Sequence, residues 1–175
     1  MTFLLMNFFL APVMIFMPWY AKNVYSDGIS AFARLEVALA IGTVAGSALL
    51  SLVPLPGPTW KKITFSLSLM AISYLLFTCS HTLLVGSLAL GLLGFFLALA
   101  NVLILNFFQS SSDPQDVPVV MGMVNLISVA SLPISMGVVG AVIDGIPVQS
   151  FASVCALIVM AIAMTIRFIP KIKAI

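Results

Sequence analysis

Polar and apolar positions do not alternate along this chain with the period of a strand or of a half-buried helix. They separate into long apolar runs divided by short polar punctuation. Six runs stand out, at about 3–24, 31–53, 63–79, 83–108, 117–143 and 148–169. A bilayer's hydrocarbon core of ~30 Å takes roughly 20 helical residues to cross, so each run predicts one transmembrane helix. The fold class expected is therefore all-α, a polytopic membrane protein of six spans in a single bundle over 1–175.

The punctuation fits this reading. The first run carries Pro12 and Pro18 and ends on Trp19, Tyr20 and Lys22, residues suited to a membrane interface. Prolines are tolerated in membrane helices where neighbours satisfy the freed carbonyls. Ser26-Asp27-Gly28 predicts a turn, with Ser30 as N-cap of the second span. Pro54, Pro56, Gly57 and Pro58 end that span, and Trp60, Lys61 and Lys62 follow at the membrane edge. Ser80-His81 is so tight a connection that spans three and four form an antiparallel hairpin. Gln109 to Asp116 is the longest polar stretch, the fifth span is expected to break at Pro133, and Asp144-Gly145-Ile146-Pro147 turns the chain into the sixth.

Composition strengthens the membrane reading. Hydrophobic residues make up 62% of the chain and charged residues 7%, against ~45–50% and ~25% in soluble domains, and the mean hydropathy is +1.25. A net charge of +2 is too small to suggest a nucleic-acid partner, and no basic stripe lies along any segment, so none is expected. Cys79 and Cys155 both lie inside apolar runs and read as packing residues. The first run has no preceding Lys or Arg and exceeds the ~7–15 residues of a signal-peptide core, so it is a retained helix. Lys61, Lys62, Arg167, Lys171 and Lys173 share one side of a six-span bundle. The positive-inside rule puts both termini in the cytoplasm, in a cell membrane, with Lys22 and Arg34 standing against that bias.

Candidate chemistry lies on the helix faces. At 100° per residue, Glu36, Ala40, Thr43 and Ser47 form one polar stripe on the second span, while Gly42 and Gly46 make a small-xxx-small packing face elsewhere on it. An intramembrane carboxylate marks a functional site by default. The plainer alternative is that Glu36 reaches interfacial water or pairs with Lys22 or Arg34. Asn125 and Ser128, with Ser131 and Ser135, line one side of the fifth span, although serines also serve as small packing residues. Asn7 on the first span and Asn101 on the fourth are cavity candidates or interhelical hydrogen-bond formers. Ten Met and thirteen Phe suit an adaptable pocket for greasy ligands and equally suit lipid-facing surface. His81 is the sole histidine, and there is no phosphate loop, nucleophile elbow or paired intramembrane aspartate. No cofactor, metal or enzymatic activity is expected.

The order of these signals has a family likeness. Asn7-Phe-Phe-Leu-Ala-Pro12, Pro18-Trp-Tyr-Ala-Lys22-Asn-Val24 and Phe32-Ala-Arg-Leu-Glu36 running on to Gly42, Gly46 and Ser47 resemble the start of the C-terminal half of major facilitator superfamily permeases. The similarity is to the macrolide-efflux-like, drug-exporter branch. Asn101-Val-Leu through Gln109, Met121-Gly-Met-Val-Asn-Leu126, Pro133 and the stretch from Gly137 to Asp144 follow the later helices of the same family. The resemblance implies a secondary transporter that exports hydrophobic small molecules, coupled to protons, by rocking two halves about a central site. Two departures stand out. Where exporters of this branch commonly have Gly-Arg-Val, this chain has Gly122-Met123-Val124. A full permease also has two six-helix halves, and this chain supplies one. Starting directly on a helix, it reads as truncated or split, inactive alone and needing an N-terminal half or a second copy as partner. The alternative is a non-transporting assembly or scaffold subunit whose Gly42/Gly46 face binds a partner helix.

Overall fold

The computed structural model describes residues 2–52, 57–142 and 145–165. Among the described residues seven helices form: α1 (Thr2–Leu10), α2 (Val13–Asn23), α3 (Gly28–Leu52), α4 (Thr59–Thr78), α5 (Leu83–Ser111), α6 (Val117–Val142) and α7 (Val148–Thr165). The helices α1 and α2 together occupy the first apolar run and each later run holds one helix, so the seven helices correspond to the six spans predicted from sequence. Among the described residues, α3, α5, α6 and α7 are each long and apolar enough to cross a membrane. The chain is an all-α, multi-pass membrane protein.

The helix ends differ from the sequence expectation in instructive ways. The first run is two helices because Pro12 has no N–H to return to the Phe8 carbonyl, and the chain turns at Ala11-Pro12 before Ile15 and Phe16 bond back to the Pro12 carbonyl at 2.9 and 3.0 Å. Pro133 removes the same kind of bond, yet α6 runs through it without a break. Ser30 is not an N-cap. The helix α3 already begins at Gly28, and the Ser30 hydroxyl donates back to the Asp27 carbonyl at 3.2 Å. The preceding turn is made by left-handed backbone at Ser26 and Gly28, with φ of 59° and 52°. Trp60, Lys61 and Lys62 lie inside the first turn of α4, where the Lys61 ammonium sits over the Trp60 ring at 5.4 Å. The helix α5 takes in Gln109 to Ser111 from the polar stretch, and Thr82 caps its other end by accepting from the Val85 N–H at 3.4 Å. Pro54, Pro56 and Asp144 lie outside the described residues, as do Arg167, Lys171 and Lys173.

The core is built from α2, α4, α5 and α7. Phe16, Met17 and Tyr20 meet Leu67, Met70, Tyr74 and Phe77, closed by Leu90 and Leu93 from one side and Ala156 and Val159 from the other, all fully buried or nearly so. The flanking helices are different. The helix α3 buries only Ala31, Leu35, Gly42 and Gly46 along its whole length, and α6 buries only Ser131, Ser135 and Val139. Most of each flanking helix therefore faces outward.

Pairing across the bundle follows a rule. Among the described residues, the spans that pack beyond a glancing touch are two with four, three with four, three with six, one with two, one with five, one with six and four with five. Exchanging one for four, two for five and three for six returns the same set of pairs. Which spans touch is thus unchanged by the exchange, although span two lies far more closely along span four than span five does along span one.

Candidate functional site

The helices α3 and α5 touch backbone to backbone. A Cβ on Gly42 would overlap the Gly91 carbonyl, one on Gly46 would overlap the Phe95 carbonyl, and one on Gly94 would overlap the Leu39 carbonyl and lie 2.9 Å from the Thr43 hydroxyl. The register, Gly42 to Gly91 and Gly46 to Phe95, advances by the same four residues on each helix, so the two run parallel. The Gly42/Gly46 face is thus filled by α5 of the same chain and is closed to a partner helix. Gly91 and Gly94, the other half of this seam, were not singled out from sequence; their spacing was the available signal.

Beside this seam lie the polar candidates. Thr43 is exposed on α3 next to Gly94, and its hydroxyl donates to the Leu39 carbonyl at 2.8 Å. Ser47 likewise bonds its own helix, at the Thr43 and Val44 carbonyls, both at 3.0 Å. These hydroxyls spend their hydrogen on the preceding turn and keep lone pairs free to accept. Glu36 is exposed on the same stripe, and among the described residues neither Lys22 nor Arg34 forms an ion pair with it.

Asn101 lies seven residues beyond Gly94, two turns along the same face of α5. Here the structure brings two distant candidates together. Asn7 of α1 and Asn101 of α5 line one small cavity, with Met6, Leu67, Met70 and Leu97 as part of its wall. Its volume of about 10 Å³ is close to the ~10–15 Å³ that admits a single water. Asn7 is half-buried and Asn101 exposed, so the cavity lies near the surface of the bundle.

The fifth-span candidates divide. Asn125 is exposed on α6, whereas Ser128 is half-buried and donates to its own Val124 carbonyl at 2.8 Å. Ser131 and Ser135 are buried, and the Ser135 hydroxyl donates to the Phe8 carbonyl of α1. That side of α6 is a packing seam.

A second polar cluster escaped the sequence reading. At the C-terminal end of α4, the Thr78 carbonyl accepts from the Tyr20 hydroxyl at 2.6 Å and from Gln149 Nε2 at 3.4 Å, while Ser153 Oγ lies 3.2 Å from the Thr78 hydroxyl. Ser80 donates to the Phe77 carbonyl at 2.6 Å, which leaves Tyr25 as donor in the short Tyr25–Ser80 contact. Burial pushes the Tyr25 phenol up. Carbonyls in the last turn of a helix lack intrahelical donors, and this cluster satisfies them while joining spans one, three and six. Tyr20 and Tyr25 near a span end were the visible signal. Their partners were not.

Among the described residues no three His, Cys, Asp or Glu side chains come together to hold a metal ion. Cys79 and Cys155 are both free thiols, the first exposed and the second buried. No protein-family model, curated protein or solved structure matches the chain.

Proposed function

We propose that this chain is the C-terminal six-helix half of a major-facilitator-type efflux permease, which moves hydrophobic small molecules out across the cell membrane in exchange for protons. The observation that carries the reading is the exchange rule of the packing. Exchanging spans one and four, two and five, and three and six preserves which spans touch, and members of each pair are three spans apart, hence opposite in direction where consecutive spans alternate. Such nested inverted triplets are the build of one half of this transporter class.

Placement of the polar residues supports the same reading. Asn7 and Asn101, which share a cavity, come from spans one and four, a pair that the rule makes equivalent. Glu36, Thr43 and Ser47 on α3 and Asn125 on α6 are exposed on spans two and five, another such pair. In this reading the outward sides of α3 and α6 meet a second six-helix bundle, either an N-terminal half or a second copy. The exposed polar residues then line the water-filled space between the bundles, and Glu36 takes up the proton. Both termini lie in the cytoplasm. The scaffold alternative loses its docking face, since α5 already occupies Gly42 and Gly46.

The test is proton-driven export of a hydrophobic fluorescent dye by membranes holding the chain with its partner bundle. Glu36→Gln is expected to abolish the dependence on the proton gradient at unchanged protein level. Undiminished gradient-driven export by the variant removes that role from Glu36.

A further inference from the structure

The glycine seam between α3 and α5 opens on one side into a groove of about 630 Å³. Arg34, Ala38 and Gly42 form its α3 wall, and Ser87, Gly91 and Phe95 lie along its α5 wall. Its floor is nearly free of side chains because the glycines that let the backbones touch have none to place there. Its rims are apolar and uncovered, with Ile41 64% and Leu88 62% exposed. Along α5 the groove extends from Leu83 to Phe95, about 18 Å at 1.5 Å per residue. That matches one leaflet, half of a ~30 Å hydrocarbon core.

Charge marks one end only. Arg34 is the sole charged residue lining the groove, it is exposed, and among the described residues it makes no ion pair. It sits at the end where α5 begins. A long Arg side chain in this position reaches the headgroup level while its stem stays in hydrocarbon.

We infer that this groove seats one acyl chain of an anionic phospholipid, whose headgroup phosphate pairs with Arg34 and whose tail lies over Gly42 and Gly91 toward Phe95. The length, the apolar rims and the single cation at the interfacial end match that occupant. A zwitterionic lipid fills the same trough but leaves the guanidinium facing a headgroup with no net charge. The assignment is independent of transport and holds equally for a non-transporting subunit.

The full chain in nanodiscs of equal phosphatidylglycerol and phosphatidylcholine with matched acyl chains tests it, read by native mass spectrometry of the lipid retained after mild activation. Wild type is expected to retain phosphatidylglycerol over phosphatidylcholine by about fivefold, the scale of one basic side chain at an anionic surface. Arg34→Gln, an exposed change that leaves the packing intact, is expected to erase that preference. Ser87→Phe, which fills the groove from its open side, is expected to lower retention of both lipids. Equal retention of the two lipids by wild type, a preference that survives Arg34→Gln, or retention unchanged by Ser87→Phe overturns the assignment.

Discussion

The hydroxyl of Ser135 on α6 donates to the carbonyl of Phe8 on α1, the group that Pro12 four residues later has no N–H to satisfy. A proline on the first span is thereby joined to a serine on the fifth. This is how a membrane bundle tolerates a broken helix: a neighbour supplies the missing donor where water cannot. The two residues are expected to be coupled. Ser135→Ala should destabilise by about 1 kcal/mol, within the range of interhelical hydrogen bonds in membranes, and by clearly less in a Pro12→Ala background that restores the local N–H. Equilibrium unfolding of the four proteins in mixed micelles gives the coupling energy.

The seam between α3 and α5 makes a contrast among glycines. Gly42→Ala and Gly46→Ala drive a methyl group into a carbonyl of α5, and backbone cannot rotate away. Gly91→Ala meets only the Ala38 carbonyl at 3.5 Å, an ordinary contact. The first two substitutions are expected to lower the thermal midpoint in detergent by several degrees. The third should leave it unchanged or raise it, since Ala is favoured over Gly in a helix by about 1 kcal/mol.

Two buried tyrosines should respond in opposite ways to loss of their hydroxyl. Tyr20 donates to the Thr78 carbonyl, and Tyr20→Phe is expected to cost about 1 kcal/mol. Tyr74 is fully buried, and its hydroxyl has no hydrogen-bond partner among the described residues. Removing an unsatisfied buried polar group relieves a penalty of about 1–3 kcal/mol, so Tyr74→Phe should be neutral or stabilising in the same unfolding assay.

The two thiols report on topology. Cys79, exposed at the C-terminal end of α4, is expected to react with a membrane-impermeant maleimide added to intact cells, since the proposed cytoplasmic termini would place that end outside. Cys155, buried in α7, should stay unreactive until the protein is unfolded. Labelling of Cys79 only after permeabilisation reverses the orientation.

How much of this was legible in the sequence depends on whether the signal is local. The spans are, because the bilayer sets their length and each helix satisfies its own backbone. Gly42 and Gly46 announced a close approach, but small residues do not say what approaches, and Gly91 and Gly94 lie some fifty residues away. Pro12 and Pro133 show the same limit. Both remove a backbone donor, yet the chain turns at one and stays helical through the other, and no pattern within either span distinguishes them. The meeting of Asn7 with Asn101, and of Tyr20 and Gln149 on one carbonyl, belongs to the packing of distant spans. Periodicity within one span cannot carry it. In the sequence Arg34 stood as a charge against the topological bias and a possible partner of Glu36; its place at the head of a groove needed α5 beside it.

In the proposed transporter this bundle is one half of a two-bundle particle, joined through the outward sides of α3 and α6. The most direct measurement is the mass of the intact assembly released from membranes into mild detergent, with cysteine pairs introduced at exposed positions such as Val44 and Val129 to cross-link it. Two six-helix bundles per particle are expected, either two copies or this chain with a six-helix partner, with cross-links running through α3 and α6. A particle with a single bundle, or one in which α3 and α6 remain open to lipid while an unrelated protein binds elsewhere, contradicts it.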